Sequence, residues 1–219
     1  MTRDSNLSVN LQSFLAAILA VFLFVPLFAL RRIGGFDFWW WMSLNLALLV
    51  SFGLFSDKSY LNLILKDLNE GLLKKIGLGI LSAGLLYAVF FVGNEVSRMI
   101  FPFAGSEISQ VYGFKQNASA LRILLFMIVF IGPGEELFWR GYLQRHWQNR
   151  FGRFWGFVFA SVLYALVHAA SGNIMLVLSA GVCGLFWGFL YFRYRSILLI
   201  CVSHTLWDLM IFVFFSLGG

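Results

Sequence analysis

Charge is scarce in this 219-residue chain: Asp, Glu, Lys and Arg make up 12%, roughly half the proportion usual in soluble domains. Hydrophobic residues reach 60% and the mean hydropathy is +0.84, so a soluble globular domain is excluded and an all-α polytopic membrane bundle is expected. There are only two cysteines, Cys183 and Cys201, and both fall inside predicted spans. That leaves no place for a secreted-type disulfide framework, and both read as small apolar packing residues. Lys and Arg never cluster with interleaved aromatics on a polar segment, which excludes nucleic acid as a partner. The net charge of +6 reads instead as loop asymmetry and contact with membrane lipids. No H-E-x-x-H is present, and no repeat or low-complexity segment is evident.

Long apolar runs are what the chain has in quantity. The run 14–30 is long enough to cross a hydrocarbon core of about 30 Å. It follows a weakly charged start and ends in Arg31-Arg32 without a clear cleavage site, so it reads as a retained first span rather than a signal peptide. A second span over 38–55 opens on Trp39-Trp40-Trp41. Residues 56–75 place Leu61, Leu65, Leu68 and Leu72 at helical spacing among lysines, the pattern of an amphipathic surface helix. Further spans are expected at 76–93, from Ser119 to about Gln148, at 154–170, 174–192 and 197–217, making about seven. The third carries Gly77, Gly79, Ala83 and Gly84 for close helix contact, the sixth carries Gly184 and Gly188, and 94–118 is expected to be the longest loop. Pro133 predicts a kink one turn before an acidic pair. With this count, 11 of the 16 Lys and Arg lie on the N-terminal side, which places that side in the cytoplasm and the C-terminus across the membrane.

Against this apolar background a few ionisable residues stand out. Glu135 and Glu136 follow directly on the run 123–131 and precede Arg140. A lone charge at the middle of a membrane helix costs about 2.5–3.5 kcal/mol on insertion scales, so three within six residues need partners or a task. Glu136 and Arg140 stand i,i+4 and can pair, whereas Glu135 points about 100° away and is left free. His168, His204 and Asp208 lie on two later spans. Counted from the basic loops, Glu135, His168 and Asp208 sit roughly 20–22 Å deep, with His204 about one turn shallower. Each has a structural reading, as an interhelical hydrogen-bond partner, an ion pair or, for Tyr164, plain packing. Their convergence at one level favours a site. A carboxylate and an imidazole there can deprotonate a water, and a second imidazole backed by Asp208 can stabilise an oxyanion. A His₂Glu zinc site from Glu135, His168 and His204 is the alternative. Ser203 points off the face of His204, and neither cysteine has an activating base.

Glu135-Glu136-x-x-x-Arg140, then Tyr164-x-x-x-His168, then His204-x-x-x-Asp208 resembles the CAAX protease and bacteriocin-processing family (CPBP, or Abi), relatives of the type II CaaX prenyl endopeptidase. The resemblance covers about 119–216, within a catalytic core at 119–219 that follows a short cytoplasmic tail at 1–12 and further membrane helices with a surface helix at 13–118. It implies an intramembrane endopeptidase in which Glu135 and His168 activate water, His204 and Asp208 line the oxyanion side, and Glu136 with Arg140 forms a supporting ion pair. It favours a metal-free, glutamic-type mechanism over zinc, a membrane-associated peptide or protein as substrate, and the cell (inner or plasma) membrane as location. Tyr164 stands where the family usually has Phe, and Asp208 where Asn is commoner. A proton-coupled transporter is one alternative from another class. A non-catalytic bacteriocin-immunity protein is the other.

Overall fold

In a computed structural model describing residues 3–115 and 118–217, the chain is a bundle of helices; the described residues hold no strand beyond one isolated bridge between Ile33 and Phe36. Six helices are long and apolar enough to span a membrane. They are α1 (Arg3–Leu30), α2 (Phe38–Ser56), α4 (Leu72–Ile100), α9 (Arg153–Val167, prolonged by a 3₁₀ turn His168–Ser171), α10 (Ile174–Tyr194) and α11 (Ile197–Leu209, prolonged by a π turn Met210–Phe214). The side chains they turn outward are apolar: Phe22, Phe55 and Leu73 are 78%, 86% and 85% exposed, as a lipid-facing surface requires. Met1 and Thr2 of the expected tail lie outside the described residues, and from Arg3 onward the chain is already helical.

The remaining expected span is built differently. Residues 120–151 alternate between α and π turns: α6 (Ala120–Phe126), a π turn Met127–Ile131, α7 (Gly132–Glu135), a nine-residue π segment Glu136–Gln144, and α8 (Arg145–Phe151). Ser119 caps its start, its hydroxyl accepting from the amide of Arg122. The expected kink at Pro133 takes the form of the π turn just before it, a common response to a lost backbone donor. In the second π segment the buried Tyr60 donates its hydroxyl to the carbonyl of Leu137 at 2.6 Å. This stretch lies inside the bundle, with Phe138, Trp139, Tyr142 and Leu143 all buried, so its charges are shielded from lipid.

Two expectations change. The amphipathic helix is shorter than 56–75: α3 covers Tyr60–Asn69 and lies against the start of α11, where Asp67 accepts from the amide of Leu198 at 2.8 Å. The region 94–118 is largely helical, because α4 continues to Ile100 and α5 (Ala104–Tyr112) follows. Near the start of α6, Arg122 pairs with Asp37, the N-cap of α2. Close helix contact through glycine is borne out at Gly79, where an added Cβ would lie 2.8 Å from Val202 on α11, and at Gly184, packed on Ser161 of α9. Gly77 and Gly84 have open space instead.

Candidate active site

A four-residue repeat places Glu136 and Arg140 on one face, and they form a buried ion pair with Nη1 2.9 Å from Oε1. Arg140 is also held by its surroundings, with Nη2 3.4 Å from the carbonyls of Cys183 and Gly184 and its guanidinium 4.5 Å from the Tyr164 ring centre. Glu136 Oε1 accepts a second bond, from Nδ1 of His204 on α11 at 2.7 Å. The imidazole of His204 stacks on Trp187 of α10 at 3.6 Å between ring centres, and its Nε2 faces Asp208 Oδ2 at 3.6 Å. Ser203, next in sequence, takes hydrogen bonds from Ser82 and from Trp187 Nε1 and holds α4, α10 and α11 together, away from any nucleophilic role.

Glu135 belongs to a separate pair. Its Oε2 accepts from the Tyr164 hydroxyl at 2.6 Å, leaving Oε1 without a protein partner among the described residues. One turn further along α9, His168 Nδ1 lies 2.7 Å from the carbonyl of Tyr164. A carbonyl only accepts, so Nδ1 carries the proton and Nε2 is the lone-pair nitrogen. The Phe28 ring packs on this imidazole at 4.3 Å between centres. Glu135, Tyr164, His168, His204 and Asp208 all line one cavity of about 290 Å³ whose remaining walls are mainly apolar. Glu136 and Arg140 lie behind that wall. All seven side chains are at most 7% exposed.

The three motifs thus meet, with Glu135, Tyr164, His168, His204 and Asp208 on the cavity lining and Glu136 and Arg140 behind it. Sequence reasoning assigned Tyr164 to packing, whereas its hydroxyl is bonded to Glu135. The available signal was its i,i+4 relation to His168. The Glu136–His204 contact and the Trp187 stack had none, being made between helices far apart in sequence. Among the described residues no three His, Cys, Asp or Glu side chains are grouped to hold a metal ion. Of the zinc set Glu135, His168 and His204, the last has Nδ1 on Glu136 and Nε2 facing Asp208.

Residues 117–210 match the family model described as Type II CAAX prenyl endopeptidase Rce1-like. By that match this segment is similar to the CPBP family. No curated protein and no solved structure matches the chain. Glu135, Glu136, Arg140, Tyr164, His168, His204 and Asp208 all fall within the matched segment, and the match supports an intramembrane protease in the general sense. The cavity is completed from outside that segment, by Phe28, Phe38, Trp39 and Met42 of α1 and α2 and by residues of α4 and α5.

Proposed function

We propose that the chain is a glutamic-type endopeptidase of the cell membrane, cleaving a peptide bond in a membrane-associated protein or peptide. A water held between Glu135 Oε1 and His168 Nε2 loses its proton to Glu135 as its oxygen attacks the scissile carbonyl carbon. The resulting oxyanion accepts a hydrogen bond from His204, which Glu136 and Asp208 hold in place. When the tetrahedral intermediate collapses, the C–N bond breaks and the proton on Glu135 passes to the leaving amine. Tyr164 occupies one oxygen of Glu135, so the other is directed at the water. Water is activated without a metal in this reading.

The observation carrying it is a polar wall made of Glu135, Tyr164, His168, His204 and Asp208 in an otherwise mainly apolar cavity large enough to admit a peptide side chain. Nearly every other side chain lining the cavity is a hydrocarbon or aromatic one, so these groups are placed where chemistry on a bound segment would use them. The test compares protein termini by mass spectrometry in membranes carrying the wild type or Glu135→Gln. A discrete set of termini should vanish in the variant at equal protein level; unchanged termini would refute catalysis. Metal-free action predicts no stoichiometric zinc in the purified protein and cleavage that survives chelators.

A further inference from the structure

The cavity's mouth and the chain's basic end lie at opposite ends of the bundle. Above Glu135 the walls come from the last turn of α1 (Phe28), the start of α2 (Phe38), the last turns of α4 (Asn94 and Ser97) and α5 (Ile108 and Tyr112). The other end is built from α3, α8 and the turns leading into α9 and α11, tied together by Arg145–Asp57 and by Asp67 on Ser196 and Leu198. Phe14 of α1 packs there on Trp147 and Phe151, so the two ends of α1 mark the two ends of the molecule.

Charge divides unequally between them. Leaving Arg3 and the buried Arg140 aside, the α3–α8 end holds nine Lys and Arg: four in 58–75, three in 145–153, and Arg193 with Arg195. The mouth holds five, Arg31, Arg32, Arg98, Lys115 and Arg122, and with Asp4 set aside alongside Arg3 each end has three acids. All five mouth cations are engaged by the protein: Arg31 on the Ser171 carbonyl, Arg32 on Gly34, Arg98 on Leu217, Lys115 on Phe212 and Arg122 on Asp37. They tie the mouth together. Cations at the α3–α8 end are engaged as well, Arg145 on Asp57, Lys75 on Asp67 and Arg153 on the Phe192 carbonyl, so the bias rests on the count of nine against five. An excess of Lys and Arg stays on the side where the chain is made.

We propose that the catalytic cavity opens on the extracytoplasmic side, and that its substrate is an apolar polypeptide segment presented there, seated among Phe28, Phe38, Phe90 and Phe114. This rests on the protease reading for the nature of the substrate; the orientation does not. α4 supports it: beyond Leu86 that helix buries no residue, so its last half is a single wall with the cavity on one face and an exposed apolar surface on the other. An apolar segment in the outer leaflet would meet the cavity at that wall.

The test is thiol labelling of Glu95→Cys, at the mouth, and Lys66→Cys, on α3, with a membrane-impermeant maleimide; the wild type, with Cys183 buried and Cys201 half-buried, gives the background. In intact cells Glu95→Cys should label as fully as after permeabilisation, and Lys66→Cys should rise several-fold on permeabilisation. The reverse pattern would overturn the proposal. The termini lost in Glu135→Gln must also lie in or beside apolar segments at the outer face. Lost termini confined to cytoplasmic segments would overturn this inference while leaving the protease reading intact. Unchanged termini with the expected labelling would overturn the protease reading, and the substrate with it.

Discussion

Replacing Arg140 with Met keeps most of the side-chain volume and removes the cation facing Glu136. Both groups are almost fully buried, at 2% and 0% exposure, and Glu136 Oε2 has no hydrogen-bond partner among the described residues. With Arg140 gone, the Glu136 carboxylate keeps one close partner, His204 Nδ1 at 2.7 Å. Breaking a buried pair from one side costs about 3–5 kcal/mol, because a desolvated charge is stranded. Removing both charges in Arg140→Met/Glu136→Gln strands none, so the double variant should recover about 1–3 kcal/mol of that loss, the range seen for directly coupled groups. Glu135→Gln is the counterpart: Glu135 has one protein hydrogen bond, which the amide oxygen of Gln can still accept, so stability should stay within about 1 kcal/mol while cleavage disappears. Unfolding of the purified variants in one detergent, alongside cleavage of one substrate, measures all three. An Arg140→Met variant within about 1 kcal/mol of wild type would refute the assignment of Glu136–Arg140 as the support of the site. A double variant less stable than Arg140→Met would refute the stranded-charge argument.

Tyr164→Phe removes the hydroxyl that occupies Glu135 Oε2; one net hydrogen bond of about 0.5–1.5 kcal/mol predicts a fall in kcat of about 2- to 12-fold with KM little changed, and steady-state kinetics showing the loss wholly in KM would contradict a positioning role. Gly132→Ala sets a Cβ about 2.9 Å from the Thr205 Cα on α11, a backbone contact that overpacking must relieve at about 1–3 kcal/mol by moving the helix that carries His204. Both melting temperature and activity should fall, whereas Gly84→Ala, with open space around it, should leave both unchanged. At Asp57, burial pushes the carboxyl up, but hydrogen bonds from Ser59 and the Arg145 guanidinium outweigh it and hold it below the usual carboxylate range. Its folded value is thus below the unfolded one of about 3.9, so its contribution is present above that pH and is lost as pH falls through the folded value. Asp57→Asn should flatten the acid limb of stability against pH, and an acid limb identical to wild type would count against this pair.

Hydropathy alone located the six long spans, because lipid demands a continuous apolar surface and a helix satisfies its own backbone. The local period of the helix also determined the Glu136–Arg140 pair, the divergence of Glu135 from it, and the relation of His204 to Asp208, since residues four apart meet whatever surrounds them. Where that period changes, the reading stopped: hydropathy marks a span at 120–151 but says nothing of π turns, which arise where Pro133 removes a donor and Tyr60 reaches the carbonyl of Leu137. Partners on other helices were out of reach for a different reason. Glu136 meets His204 across 68 residues, and Tyr164 meets Glu135 across 29, through helix crossings fixed by small residues such as Gly132 and Gly79. The tertiary structure alone decided that Glu135 and Glu136, neighbours in the chain, face a cavity and a buried ion-pair network respectively. A side chain's direction follows from its own helix, but what stands opposite is set by how helices pack.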